Sequence, residues 1–222
     1  MVGKKVTAFD VVLVILMVLL SCVFLYPLLN MLAISFWDAQ TLKASPVYLL
    51  PVGFSLESYK ALLNDDRILL YYWNTIKYAA VGTVIMLLTT SLMAYPLSIP
   101  ALRGRKLFSV LLTITMFFGG GLIPYYVTIM RLKMIDTFWV MVLPGAISAY
   151  NVIVFKTFFM SIPEELRESA NLDGAGHVRI LFQIVLPLSK AVLATFALFS
   201  IVGYWTDYMT ALLYLRDDTQ YP

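Results

Sequence analysis

Acidic side chains of this 222-residue chain gather in one short stretch, where Ser161-Ile162-Pro163 leads into Glu164, Glu165, Glu168 and Asp173. Ser161 is placed to cap a helix, Glu164 three residues on to return the bond, and Pro163 is tolerated in a first turn. Glutamates near that start favour the positive end of the helix dipole, and Gly174 and Gly176 mark a stop or bend. The chemistry on offer is a stiff anionic knob suited to a basic partner, not catalysis. A second group is Asp207, flanked by Tyr204, Trp205 and Tyr208. A charge inside an apolar span is a functional candidate by default, and aromatic faces beside a carboxylate suit sugar rings and hydroxyls. A carboxylate at a membrane interface within an aromatic belt is the plainer reading. Asn151 and Tyr150, and Asn74 and Lys77, are weaker candidates for the same path. His177 is the only histidine and has no partners at ligand spacing, which fits a surface or interface residue. Gly119-Gly120-Gly121 lacks the preceding strand and the Gly-Lys-Ser/Thr ending of a phosphate loop, so close packing or a bend is its expected use. No catalytic, cofactor-binding or metal-binding set emerges, and the single Cys22 excludes an internal disulfide and a cysteine zinc site.

The elements that must position these groups are membrane helices. Hydrophobic residues make up 61% of the chain and charged ones 13%, a balance that a water-soluble fold of this size could not cover. The net charge of +3 is too small to suggest nucleic acid and the basic residues are scattered, so no nucleic-acid partner is expected. Five apolar stretches reach spanning length: 11–34, 72–99, 107–129, 138–159 and 188–213. None shows the alternation of barrel strands, so all are expected as helices. The first run is longer than the core of a signal peptide and is read as a retained helix, despite the lipoprotein-like Leu19-Leu20-Ser21-Cys22. Lys4 and Lys5, then Arg103, Arg105 and Lys106, then Lys156, Arg167, Arg179 and Lys190 fall on one side by this count, placing the N-terminus in the cytoplasm. Arg131 and Lys133 on the other side weaken that bias. Aromatic residues such as Trp37, Trp73, Tyr125 and Trp139 crowd the outer ends. The chain is expected as one transmembrane domain over 1–222, with an extracytoplasmic loop at 38–70 and a cytoplasmic loop at 161–187. Within the outer loop, which carries Asp38, Lys43, Pro46, Pro51 and Gly53, residues 55–63 suit a short amphipathic helix.

Glu168-Ser169-Ala170, three residues, Gly174, nine residues, then Ile184-Val185-Leu186-Pro187 resembles the Glu-Ala-Ala loop of permease subunits of binding-protein-dependent ABC importers. Ser169 stands where that pattern has alanine, and it is also small. Phe117 to Pro124, Ile135 to Trp139 and Leu143-Pro144-Gly145-Ala146 are similar to the carbohydrate-uptake branch, of the maltose and oligosaccharide type. The resemblance implies an all-α integral membrane protein, a polytopic helical bundle of the type I ABC importer permease fold. It implies a non-enzymatic transport subunit of a bacterial plasma membrane that forms part of the path for a sugar or oligosaccharide. Glu164, Glu165, Glu168, Ser169, Ala170, Asp173, Gly174, Ile184, Leu186 and Pro187 then couple to an ATPase. Tyr204, Trp205, Asp207, Tyr208 and Asn151 are the candidate substrate path. The implied partners are a second permease, two ATPase subunits that hold ATP and Mg, an extracytoplasmic sugar-binding protein and the lipid bilayer. The family has six helices where five are counted here, so a sixth is expected beyond Pro222. The alternatives are an importer of amino acids or other small solutes, which shares the loop, an ion-coupled secondary transporter, and a membrane-embedded enzyme. The last two lack the buried carboxylates and the catalytic pairs that they need.

Overall fold

The computed structural model describes residues 7–37 and 54–222. Lys4, Lys5, Asp38, Lys43, Pro46, Pro51 and Gly53 lie outside the described residues. The chain divides into two compact units, one up to Ile68 and one from Leu69 to Pro222.

The first unit contains α1 (Ala8–Ser35) and α2 (Glu57–Leu63). Helix α1 is long because nothing in it interrupts the apolar run except Pro27, which it accommodates. Its start carries a capping box: the Thr7 hydroxyl accepts from the Asp10 N–H at 3.4 Å, and the Thr7 N–H donates to Asp10 Oδ2 at 2.8 Å. Phe36 stacks on Phe54 at 5.4 Å and Tyr59 donates to Ser35 Oγ at 2.8 Å, so α2 is tied to the end of α1.

The second unit is built on α3 (Arg67–Ser98), an unbroken helix long enough to cross a bilayer. The other expected spans are broken. Residues 107–129 resolve into α4 (Arg105–Phe117) and α5 (Leu122–Arg131), bent by 112° across Gly119-Gly120-Gly121. Gly121 has φ +77°, a conformation that glycine adopts without strain. Residues 138–159 resolve into α6 (Phe138–Val142) and α7 (Ala149–Met160), parted at Pro144-Gly145. After α8 (Glu164–Leu172) comes α9 (His177–Leu188), which carries a π-type turn over Leu181–Val185. It meets α10 (Lys190–Thr206) at 82°, and α11 (Tyr208–Tyr214) follows a break at Asp207. Among the described residues two helices, α1 and α3, are long and apolar enough to cross a membrane, and up to four crossings result if each bent pair counts as one.

Two buried clusters hold the second unit. One packs Tyr95 and Leu97 of α3 against Phe155 and Phe159 of α7 and Ile180 and Leu181 of α9. The other packs Tyr78 of α3 with Val140 of α6 and Tyr214 of α11. Most remaining apolar side chains are exposed, as lipid-facing surface must be. The segment after α11 is clasped back onto the bundle. Asn74 Nδ2 donates to the carbonyls of Thr219 and Tyr221, each at 2.8 Å, and Asp136 Oδ1 accepts from the N–H groups of Arg216 and Asp217 at 2.9 and 3.0 Å. Asp136 itself has φ +60°, which Asp and Asn tolerate better than other L-residues. Asp136→Ala therefore removes the acceptor of both bonds and worsens the backbone fit, with an expected loss of about 1–3 kcal/mol. Asp136→Asn should retain most of that stability. Hydrogen exchange over residues 215–221 checks this, and equal protection in Asp136→Ala and the parent would refute the clasp.

Candidate functional site

Helix α8 forms at the expected place, but its start differs from the expectation. The Ser161 hydroxyl donates to the Phe158 carbonyl at 2.6 Å, closing the preceding helix, and Pro163 occupies the N-cap without a side-chain cap bond. No Ser161–Glu164 box exists, because Ser161 still belongs to the last turn of α7 and its hydroxyl finds a freed carbonyl there first. The dipole argument is unaffected, since Glu164 and Glu165 lie in the first turn.

The C-terminus of α8 is fully closed. Gly174 has φ +78°, the Ala175 N–H donates to the Ala170 carbonyl at 2.9 Å, and the Gly174 N–H donates to the Asn171 carbonyl at 3.0 Å. Those two bonds with a left-handed glycine make a Schellman motif, and Ala170 and Ala175 supply the apolar contact that accompanies it, both packed against the core. The motif residues thus sort by task. Ala170, Ile184 and Leu186 pack against the buried cluster, Gly174 makes the turn, and Glu164, Glu165, Glu168, Ser169, Asp173 and Pro187 are exposed. None of the four acidic residues is in an ion pair among the described residues. Leu172, at the tip, is 89% exposed.

Arg167 was not expected to matter beyond its charge. It is buried under α8, with one guanidinium nitrogen 3.4 Å from the Ile162 carbonyl and Nε without a partner. Around it lie Tyr95, Ile99, Glu164, Glu168 and His177. His177 itself is exposed, its ring 6.2 Å from that of Tyr95. The position of Arg167 between Glu164 and Glu168 on one helical face is the sequence signal that could have marked it.

A cavity of about 520 Å³ lies where α3, α6, α7 and α10 converge. Asp207, Tyr204 and Asn151 line it, together with Tyr125, Phe196 and Phe199. Trp205 and Tyr208 do not: both are exposed, and the Trp205 ring lies 6.0 Å from that of Tyr72. Tyr150 is on the lining, whereas Asn74 is spent on the clasp described above and Lys77 lies outside the cavity. The lining residues of α10 recur at 196, 199, 200, 203 and 204, the stripe of one helical face, with Asp207 at the break that follows, and that period is a signal the sequence carries. Asp207 also has a structural task, since its Oδ1 accepts from the Thr210 N–H at 3.0 Å and caps α11. Asn151 Nδ2 lies 3.6 Å from Met86 Sδ.

Tyr204 is held in a slot made by two glycines. A Cβ on Gly82 would fall 2.2 Å from its ring, one on Gly145 would fall 3.2 Å from its hydroxyl, and that hydroxyl donates to the Val142 carbonyl at 3.3 Å. Gly82→Ala is expected to expel the ring, at a cost of about 1–3 kcal/mol, and to reshape the cavity. Adding Tyr204→Ala should restore much of that loss, a coupling that thermal unfolding of the two single variants and the double variant measures; additive effects would overturn the slot.

The family model for the inner membrane component of binding-protein-dependent transport systems matches residues 1–218. The chain is similar to a polygalacturonan/rhamnogalacturonan transport system permease protein of Bacillus subtilis, 39% identical over 208 residues, covering 94% of this chain and 72% of that one. An arabinooligosaccharides transport system permease protein of Halalkalibacterium halodurans is 26% identical over 204 residues, covering 88% and 72%. Among solved structures, the crystal structure of a bacterial ABC transporter involved in import of the acidic polysaccharide alginate aligns at a TM-score of 0.88 and 31% identity, over all of this chain and 79% of that one.

Proposed function

We propose, from the premise that this chain belongs to the family of inner membrane components of binding-protein-dependent transport systems, that it is the permease subunit of an ATP-driven importer of a sugar or oligosaccharide. It is a multi-pass membrane protein and a transport subunit, not an enzyme. Relatives named for saccharide transport support the substrate class. The alternative solutes, amino acids among them, find no support in those names.

Helix α8 is the element that meets the ATPase. The observation that carries this reading is Leu172, a large apolar side chain almost wholly exposed at the tip of a helix that is closed by a Schellman turn and ringed by carboxylates. An apolar tip with an anionic collar fits a pocket with a basic rim on a partner. The helix is tied to the bundle through Ala170 and Ala175, and the segment that follows runs into the same core through Ile180, Leu181 and Val185. Movement of the tip is thereby handed to α7 and α3. ATP and Mg belong to two ATPase subunits, and this chain binds neither. A second permease completes the path, and an extracytoplasmic binding protein delivers the sugar. Glu164, Glu165, Glu168, Ser169 and Asp173 form the docking surface, which lies on the cytoplasmic side with the N-terminus. The cavity beside Tyr204, Asp207 and Asn151 is this chain's share of the path.

Leu172→Asp should leave thermal stability within about 0.5 kcal/mol, because the side chain touches little of its own chain. It should also abolish co-purification with the ATPase. Gly174→Asp, in a left-handed turn with open space around the new Cβ, strains the turn by about 1 kcal/mol and should uncouple uptake from ATP hydrolysis. Undiminished uptake and binding-protein-stimulated ATPase activity in both variants would sink the docking assignment.

A further inference from the structure

Among the described residues the cavity holds one charged side chain, Asp207, and it is negative. Its walls are aromatic and apolar, from Tyr125, Tyr150, Phe196, Phe199 and Tyr204, with Asn151, Ser200 and Thr210 as the neutral polar groups. No lysine or arginine among the described residues lines it. The alginate importer, similar in fold, is described as acting on an acidic polysaccharide, and the Bacillus subtilis relative is named for polygalacturonan and rhamnogalacturonan. Such chains carry ionised carboxylates at neutral pH, since a carboxylic acid titrates near pH 4. Recognition of a carboxylate calls for guanidinium, ammonium or free N–H donors. The N–H group at the start of α11 that could have served is already taken, because Asp207 Oδ1 accepts from Thr210 N–H at 3.0 Å.

We propose that Asp207 makes this cavity reject anions, so that the saccharide passing this chain is uncharged where it meets the wall, in contrast to the uronate chains for which the polygalacturonan relative is named. This rests on the reading of the cavity as part of the path and names the substrate class for it. Two effects act together. A uronate carboxylate entering the cavity meets the field of Asp207 in surroundings of low dielectric, where like charges repel more strongly than in water. It also leaves its hydration shell without gaining a cationic partner, a loss that binding cannot recover. A neutral sugar ring incurs neither penalty, and it finds aromatic faces and hydroxyl and amide groups instead. Asp207 is thus a specificity-determining residue, in addition to capping α11.

The test reads the potential of the cavity without needing the natural sugar. Gly203 lines the cavity one helical turn before Asp207, and a Cβ there meets nothing within 4 Å, so Gly203→Cys fits without strain. In a Cys22→Ser background within the assembled transporter, that thiol is reacted with methanethiosulfonates carrying ethylammonium or ethylsulfonate, each rate normalised to a free thiol. Any effect of the site on the ionisation of the thiol cancels in the ratio. The cationic reagent is expected to react at least about tenfold faster. Asp207→Asn, which retains a good N-cap, should bring the ratio within about threefold of unity. Thr210→Lys, which keeps Asp207 and adds a cation, should lower it further or invert it, and this guards against a folding defect peculiar to position 207. A ratio near unity in the parent, a ratio unmoved by Asp207→Asn, or protection of the thiol by trigalacturonate would each overturn the proposal. Loss of ATPase docking would leave these rates untouched, so failure here and failure of the coupling assignment are distinguishable.

Discussion

A break in a helix inside an apolar medium frees N–H and C=O groups that no water can reach, and each must find a partner from the protein itself. That constraint orders this chain more than any single contact. Where α6 ends at Pro144-Gly145, the Val142 carbonyl is met by the Tyr204 hydroxyl and the Ala146 carbonyl by Thr89 Oγ1. Where α10 ends, the Asp207 carboxylate takes the Thr210 N–H. The bend before α10 is served by Ser189, wholly buried, whose Oγ donates to the Val185 carbonyl at 2.7 Å. Several polar residues within the apolar stretches are therefore repairs, and the cavity lies where two of the repairs converge.

This explains what was legible in the sequence and what was not. Helix α3 and helix α1 were readable because their apolar runs contain no cluster of breakers. The knob at Glu164–Leu172 was readable because its acidic start and its glycine stop are local signals. The breaks inside the other spans were not anticipated, since Gly119-Gly120-Gly121 was assigned to close packing or a bend and 138–159 to one helix, and hydropathy does not distinguish a bent span from a broken one. The cap at Ser161 was misassigned because a Ser-x-x-Glu pattern is indifferent to whether the serine still belongs to the preceding helix. Asp207 was noticed as a charge in a span, but its cap bond depends on a break that only coordinates reveal.

Arg167 marks another limit of reading from sequence. In a tally of basic residues it counts as one more cytoplasmic charge. In the structure it is buried beneath α8, against Tyr95 and His177 and flanked by Glu164 and Glu168, with its Nε unpaired. Glu164 and Glu168 share the face of Arg167 and partly compensate its charge, while Glu165 and Asp173 lie away from it and keep the rest of the short helix negative.

The near right angle at Ser189 has a mechanical meaning. Two rigid rods joined at 82° behave as a crank. The twelve residues of α9 make an arm of about 18 Å, so a thrust delivered along it becomes a sideways swing of α10 instead of a simple piston stroke. The face that such a swing would turn carries Phe196, Gly203 and Tyr204, which makes the width of the cavity, more than its depth, the dimension it would alter.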